Sequence, residues 1–244
     1  MDFEKLVKEF VERLQKSAGA NLQSVILYGS TVSGGFHPEF SNVNLLCILR
    51  ETSLTALQAV APVATWWNSQ KQPAPLIMTK DEIARSTDVF SIELLDMKQS
   101  YRVVFGEDVL KPIEVSLRYH RVQVEYELRE KLILLRQSLL LAAADGPDLL
   151  RTLQRSAPSF ATLFRHALIA LGEPAVQSRR EAVDKLAARI GFDASALNQL
   201  LDIREGKAKA KDANAKDLCN RYLASLEQVV AAVDTALDLP ETKG

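Results

Sequence analysis

The sequence predicts an α+β protein: a sheet flanked by helices in the first 112 residues, then an all-helical bundle. Three observations carry this. The short apolar runs that read as strands all lie before Lys111-Pro112. Beyond that point the apolar spacing becomes three-and-four, the helical period, up to the C-terminal region. Between the strand-like runs, amphipathic stretches with capping residues supply the helices that would cover a sheet.

The elements follow in order. Phe3, Leu6, Val7, Phe10, Val11 and Leu14 lie on one helical face, and Ser17-Ala18-Gly19 ends it. Ser24–Tyr28 is a strand with apolar residues on both faces. Gly29-Ser30-Thr31 opens a turn, and a loop through Ser33-Gly34-Gly35 leads to Ser41-Asn42-Val43-Asn44. The second strand, Val43–Leu49, is the most apolar and is expected to be central. Asn42 and Asn44 are two apart, so on a continuous strand they share a face. Thr52 or Ser53 caps a helix to about Gln70, which Pro62 should bend or split. Of the neighbours Trp66 and Trp67, at most one can face the core. Leu76–Met78 is a third strand, and Thr79-Lys80-Asp81-Glu82 is a capping-box pattern. Phe90–Leu94 alternates like a half-buried strand, with Glu93 on its polar face. Tyr101–Phe105 is a last strand, closed by Gly106.

In the second half a helix is expected over Ile113–Ala144, with Leu117, Val124, Leu128, Leu132, Leu135, Leu139 and Ala142 on its buried stripe. Gly146-Pro147 stops it. A helix over Asp148–Arg155 is expected to break near Pro158, and another runs from Phe160 to Leu171. Ser178 and Asp193 cap two more, ending near Ile190 and Ile203. The last helix carries Leu218, Tyr222, Leu226, Val229, Val230, Val233 and Leu237. Together these make an up-and-down bundle.

Composition narrows the function. Thirty basic and 31 acidic residues give a net charge of −1, and neither half is basic: 11 against 13 in residues 1–112, 19 against 18 in 113–244. No broad electrostatic footprint for nucleic acid exists. No apolar run approaches the ~20 residues that span a bilayer. Cys47 and Cys219 sit in apolar surroundings and read as buried thiols, and with the charged N-terminus they predict a cytoplasmic protein. His37, His120 and His166 have no zinc spacing with them. There is no Walker loop and no nucleophile elbow.

The frame Leu27-Tyr28-Gly29-Ser30, a loop, and Ser41-x-Val43-x-Leu45-Leu46 resembles the nucleotidyltransferases of the polymerase-beta type. The resemblance implies a mixed catalytic sheet followed by a helical domain, as in the antibiotic-modifying members, with substrate in the cleft between. It implies that Gly29, Ser30 and Ser41 hold the phosphates of a nucleoside triphosphate. It also implies that positions 42 and 44, with a third acid on a later strand, carry two Mg2+ ions. Here those positions are Asn42 and Asn44, and residues 74–78 contain no acid. Asn offers a neutral amide oxygen to an ion that wants anionic ones. Losing one carboxylate ~4 Å from a unit charge forfeits about 4 kcal/mol at an effective dielectric near 20.

The expectation is therefore a catalytically weak or inactive module, a pseudoenzyme that binds a nucleotide or other small anion. An active transferase would need a substitute carboxylate: Glu93 first, with Glu39, Glu125 and Glu127 as further sources. A pure interaction protein, with a homo-oligomer among its forms, is the third reading, suggested by the long helical half and the paired tryptophans.

Overall fold

A computed structural model describes residues 3–32, 42–142 and 145–237. The chain divides into two compact units, residues 1–117 and 118–244. The first is α+β, and the regular elements of the second are all helices among its described residues.

In the first unit, α1 (Phe3–Ala18) leads into β1 (Leu22–Tyr28), and β2 (Asn44–Leu49) pairs antiparallel with it. Then α2 (Leu54–Ser69) crosses over to β3 (Leu76–Thr79), which runs parallel to β2. Two short helices follow, α3 (Lys80–Arg85) and α4 (Ser91–Gln99), before β4 (Tyr101–Gly106) closes antiparallel on β1. The mixed sheet has the order β3-β2-β1-β4, so β2 is internal.

Alternation along the two inner strands feeds two cores. Val25, Leu27, Leu45, Cys47 and Leu49 face α1 and α2, where Phe10 meets Trp67 at a ring-centroid distance of 4.8 Å. Ile26, Leu46 and Ile48 face the other way, against Ile83 of α3, Leu94 and Met97 of α4, and Leu110. Of the two tryptophans, Trp67 is the buried one. Trp66 carries the Arg13 guanidinium 4.3 Å from its ring centroid.

Ser53 caps α2 through the Ala56 N–H, and Thr79 with Glu82 forms the expected capping box on α3. Beyond β4, the chain from Leu110 to Ile113 has no ladder partner among the described residues. The Lys98 ammonium of α4 donates to the carbonyls of Leu110 (2.9 Å), Lys111 (3.3 Å) and Ile113.

Several expectations are corrected. Phe90–Leu94 is not a strand: Ser91–Gln99 is helical, so Glu93 stands in the first turn of α4. Five alternating residues cannot separate the two periods, and the burial of Leu94 and Met97 settles it as helical. Pro62 does not split α2, which runs through it. Asn42 lies ahead of β2 and is exposed, outside the pairing that fixes Asn44 opposite Tyr28.

The second unit holds α5 (His120–Ala142), α6 (Gly146–Ala170), α7 (Arg179–Ile190), α8 (Ser195–Arg204) and α9 (Ala215–Leu237). The expected start at Ile113 is wrong. Residues 113–119 are irregular, and Leu117 is exposed rather than part of the buried stripe. The break near Pro158 is also absent, because α6 continues through it. An interior proline costs about 3 kcal/mol. Leu153, Phe160 and Phe164 on the same helix are buried, each stabilising by roughly 1.5–3 kcal/mol, which outweighs that cost.

Candidate functional site

Gly29, Ser30 and Asn44, singled out in the sequence, lie at the head of the β1–β2 pair. Tyr28 is the register partner of Asn44. The strand ends on Gly29, whose φ of +83° is left-handed and suits a residue without Cβ. A Cβ built there would stand 3.1 Å from Asn44 Nδ2. Gly29 and the Asn44 side chain are thus in direct apposition. Gly29 needs its glycine for conformation and for space.

Its N–H is already committed, donating to the Ser100 carbonyl at 2.9 Å. This joins the turn to the residue just ahead of β4. Ser30 follows inside the 3-10 turn Gly29–Thr31, which Val32 N–H closes on the Gly29 carbonyl at 3.0 Å. Ser30 is half-buried. Sequence reasoning did not find the Ser100 contact, since nothing in a serine after a helix marks it as a tether.

Asn44 alternates with Leu46 and Ile48, so it belongs to the sheet face covered by α3 and α4. Tyr28 lies on that face too. Burial, and after it the neighbouring Cys47, raise the Tyr28 phenol above its ordinary value, so it is a neutral hydrogen-bonding group near pH 7. Cys47 lies on the opposite face, and burial pushes its thiol up to about 12. It is a packing residue rather than a nucleophile.

Glu93 does not join Asn44 as a strand neighbour. It is exposed on α4 and lines a groove of about 490 Å³ beside β3, with Leu76, Met78, Glu82, Phe90 and Met97. Glu82 is engaged locally, its carboxylate accepting the Thr79 N–H at 2.6 Å. Of the other candidates, Ser41, Glu39 and His37 lie outside the described residues. Glu125 and Glu127 pair along α5 with Arg129 and Lys131.

The donors at positions 42 and 44 are neutral amides. Among the described residues no group of three His, Cys, Asp or Glu side chains could hold a metal ion. The described donor set does not fit a pair of hard dications. Among the described residues no helix is long and apolar enough to cross a membrane.

No family profile matches this chain, and no curated protein matches its sequence. Solved structures do match it. One is the crystal structure of spectinomycin adenyltransferase AAD(9) from Enterococcus faecialis with ATP and spectinomycin. It is 13% identical with a TM-score of 0.48, over 92% of this chain and 99% of that one.

Proposed function

We propose that the first unit is a nucleotidyltransferase-type module that binds a nucleotide, or another small anion, without efficient turnover. The observation that carries this reading is the apposition of Gly29 and Asn44. A left-handed glycine at a strand end is packed against the residue at which the family resemblance expects a metal-binding carboxylate, and that residue is an amide.

The chemistry follows from the groups present. Ser30 offers a hydroxyl and a backbone N–H, both suited to a phosphate oxygen. Asn44 contributes a carbonyl oxygen and an NH2 group, and the amide can donate to an anion that an aspartate would repel. Nucleotidyl transfer needs divalent ions to stabilise attacking and leaving oxygens. A neutral pair of side chains at 42 and 44 supplies no charge to hold them. Binding can survive under these conditions, while the chemical step loses its main electrostatic support.

Calorimetric titration with ATP, in the presence and absence of Mg2+, tests the reading. We expect binding in both conditions, with Mg2+ altering the affinity by less than about threefold, or under 1 kcal/mol. No heat of binding in either condition removes the module reading. Affinity that rises by more than about 100-fold with Mg2+ contradicts the weak metal seat and favours an active transferase with a substitute carboxylate such as Glu93.

A further inference from the structure

A groove of about 320 Å³ lies between α5 and α6, within the second unit. Residues 131–138 form one wall and 152–160 the other. Spacings of three and four put Lys131, Leu134, Leu135 and Ser138 on one side of α5. The same spacings align Thr152, Arg155, Ser156 and Ser159 on α6. Leu135 and Phe160 are buried and give the groove an apolar base.

The polar groups of the groove divide into committed and uncommitted ones. Three hydroxyls donate to their own helices at 2.9 Å: Ser138 to the Leu134 carbonyl, Thr152 to Asp148 and Ser156 to Leu153. Ser156 Oγ also meets the hydroxyl of the buried Tyr222 at 3.1 Å. The Ser159 hydroxyl makes no hydrogen bond among the described residues. The cations divide likewise. Arg151 pairs with Asp148, Arg129 with Glu125 and Asp234, and Arg136 with Glu227. Arg155, one turn from both Arg151 and Ser159, makes no ion pair or hydrogen bond among the described residues. Lys131 is held by Glu127 at 3.1 Å, which leaves further donors on its ammonium. None of the described residues lining the groove is acidic.

We propose that this groove binds a small soluble phosphomonoester, with the phosphoryl group on Arg155, Lys131 and Ser159 and an apolar substituent on Leu135 and Phe160. The donor set selects the ligand. A guanidinium presents a planar fork to two oxygens of one group. The ammonium and the free hydroxyl then serve the third, which a carboxylate lacks. The volume suits a small molecule rather than a chain segment. The site is separate from Gly29 and Ser30, which belong to the first unit.

Calorimetric titration of the full chain with phenyl phosphate tests this. Saturation is expected at roughly 0.1–1 mM in low salt. Arg155→Gln should weaken binding at least about tenfold, the loss typical of hydrogen bonds to a charged group. Arg155→Lys should not restore it, because a point charge lacks the fork. Benzoate and inorganic phosphate should both bind more weakly than phenyl phosphate. Circular dichroism of the variants should be unchanged, since Arg155 is exposed.

Binding that Ser30→Ala removes and Arg155→Gln leaves intact would put the ligand in the first unit and overturn the proposal. No saturation by about 10 mM overturns it as well. So does Arg155→Lys binding like the native chain, which would mean diffuse attraction without a built site. Sedimentation with phosphatidic acid vesicles that Arg155→Gln abolishes overturns the soluble ligand in favour of a lipid headgroup.

Discussion

Replacing Gly29 by alanine tests the geometry of the candidate site from the inside. The substitution adds one methyl group and demands two things. The backbone must keep a φ of +83°, which costs an L-residue about 1–2 kcal/mol. The new Cβ would also lie 3.1 Å from Asn44 Nδ2, so the amide must shift or leave its rotamer. An off-rotamer side chain costs on the order of 0.5–1.5 kcal/mol. Gly29→Ala should therefore destabilise the first unit by about 2–3 kcal/mol.

Both tryptophans, Trp66 and Trp67, belong to that unit, so urea unfolding followed by tryptophan fluorescence reads it selectively. Asn44→Ala completes a double-mutant cycle. With the amide gone, the contact part of the penalty disappears and the backbone part stays, giving a coupling of roughly 0.5–1.5 kcal/mol. Additivity within about 0.3 kcal/mol would mean that the two residues do not meet. A neutral Gly29→Ala would mean that the turn is not left-handed.

Two further outcomes follow from local geometry. Gly106→Ala should be far more damaging than Gly191→Ala: its Cβ would fall 2.0 Å from the Gln23 carbonyl, whereas Gly191 faces open space. Losses above ~3 kcal/mol against ~1 kcal/mol are expected from denaturant midpoints, and equal losses would refute the packing at the end of β4. The Asp193 carboxyl is held below its ordinary value by the Ser195 hydroxyl and N–H, and then by Arg221. The unfolded chain therefore takes up this proton first, so the contribution is present above the ordinary carboxylate value and fades as pH falls through and below it. Between about pH 5 and pH 3 the thermal midpoint should fall more steeply for the native chain than for Asp193→Asn, and parallel slopes would refute the assignment.

The first three strands were legible because each is a run of apolar residues closed by glycine or a capping residue. Asn44 was legible for the same reason, since Leu45–Leu49 fixes its register. Asn42 was less so: the pairing stops at Tyr28 and Asn44, and no ladder fixes the exposed residue two positions earlier. Glu93 was misplaced because Ser91–Leu94 fits either period, and only burial extending to Met97 decides between them. Pro62 and Pro158 misled in the same way. A sequence rule prices the lost hydrogen bond but cannot see Trp67 or Phe160 being buried on the same helix. The exposed apolar residues of α5, such as Leu140 and Leu141, were not legible, because an apolar residue off the buried stripe carries no sign of its exposure.

The ammonium of Lys98 has a consequence for how the first unit ends. The carbonyls of Leu110, Lys111 and Ile113 lie outside strand and helix, and one side chain reaches all three. The departing polypeptide is thus buckled to α4 by a charge as well as by the packing of Leu110 on Leu94 and Met97. A modification that removes that charge, such as acetylation of the amine, would unfasten the strap while leaving the sheet intact.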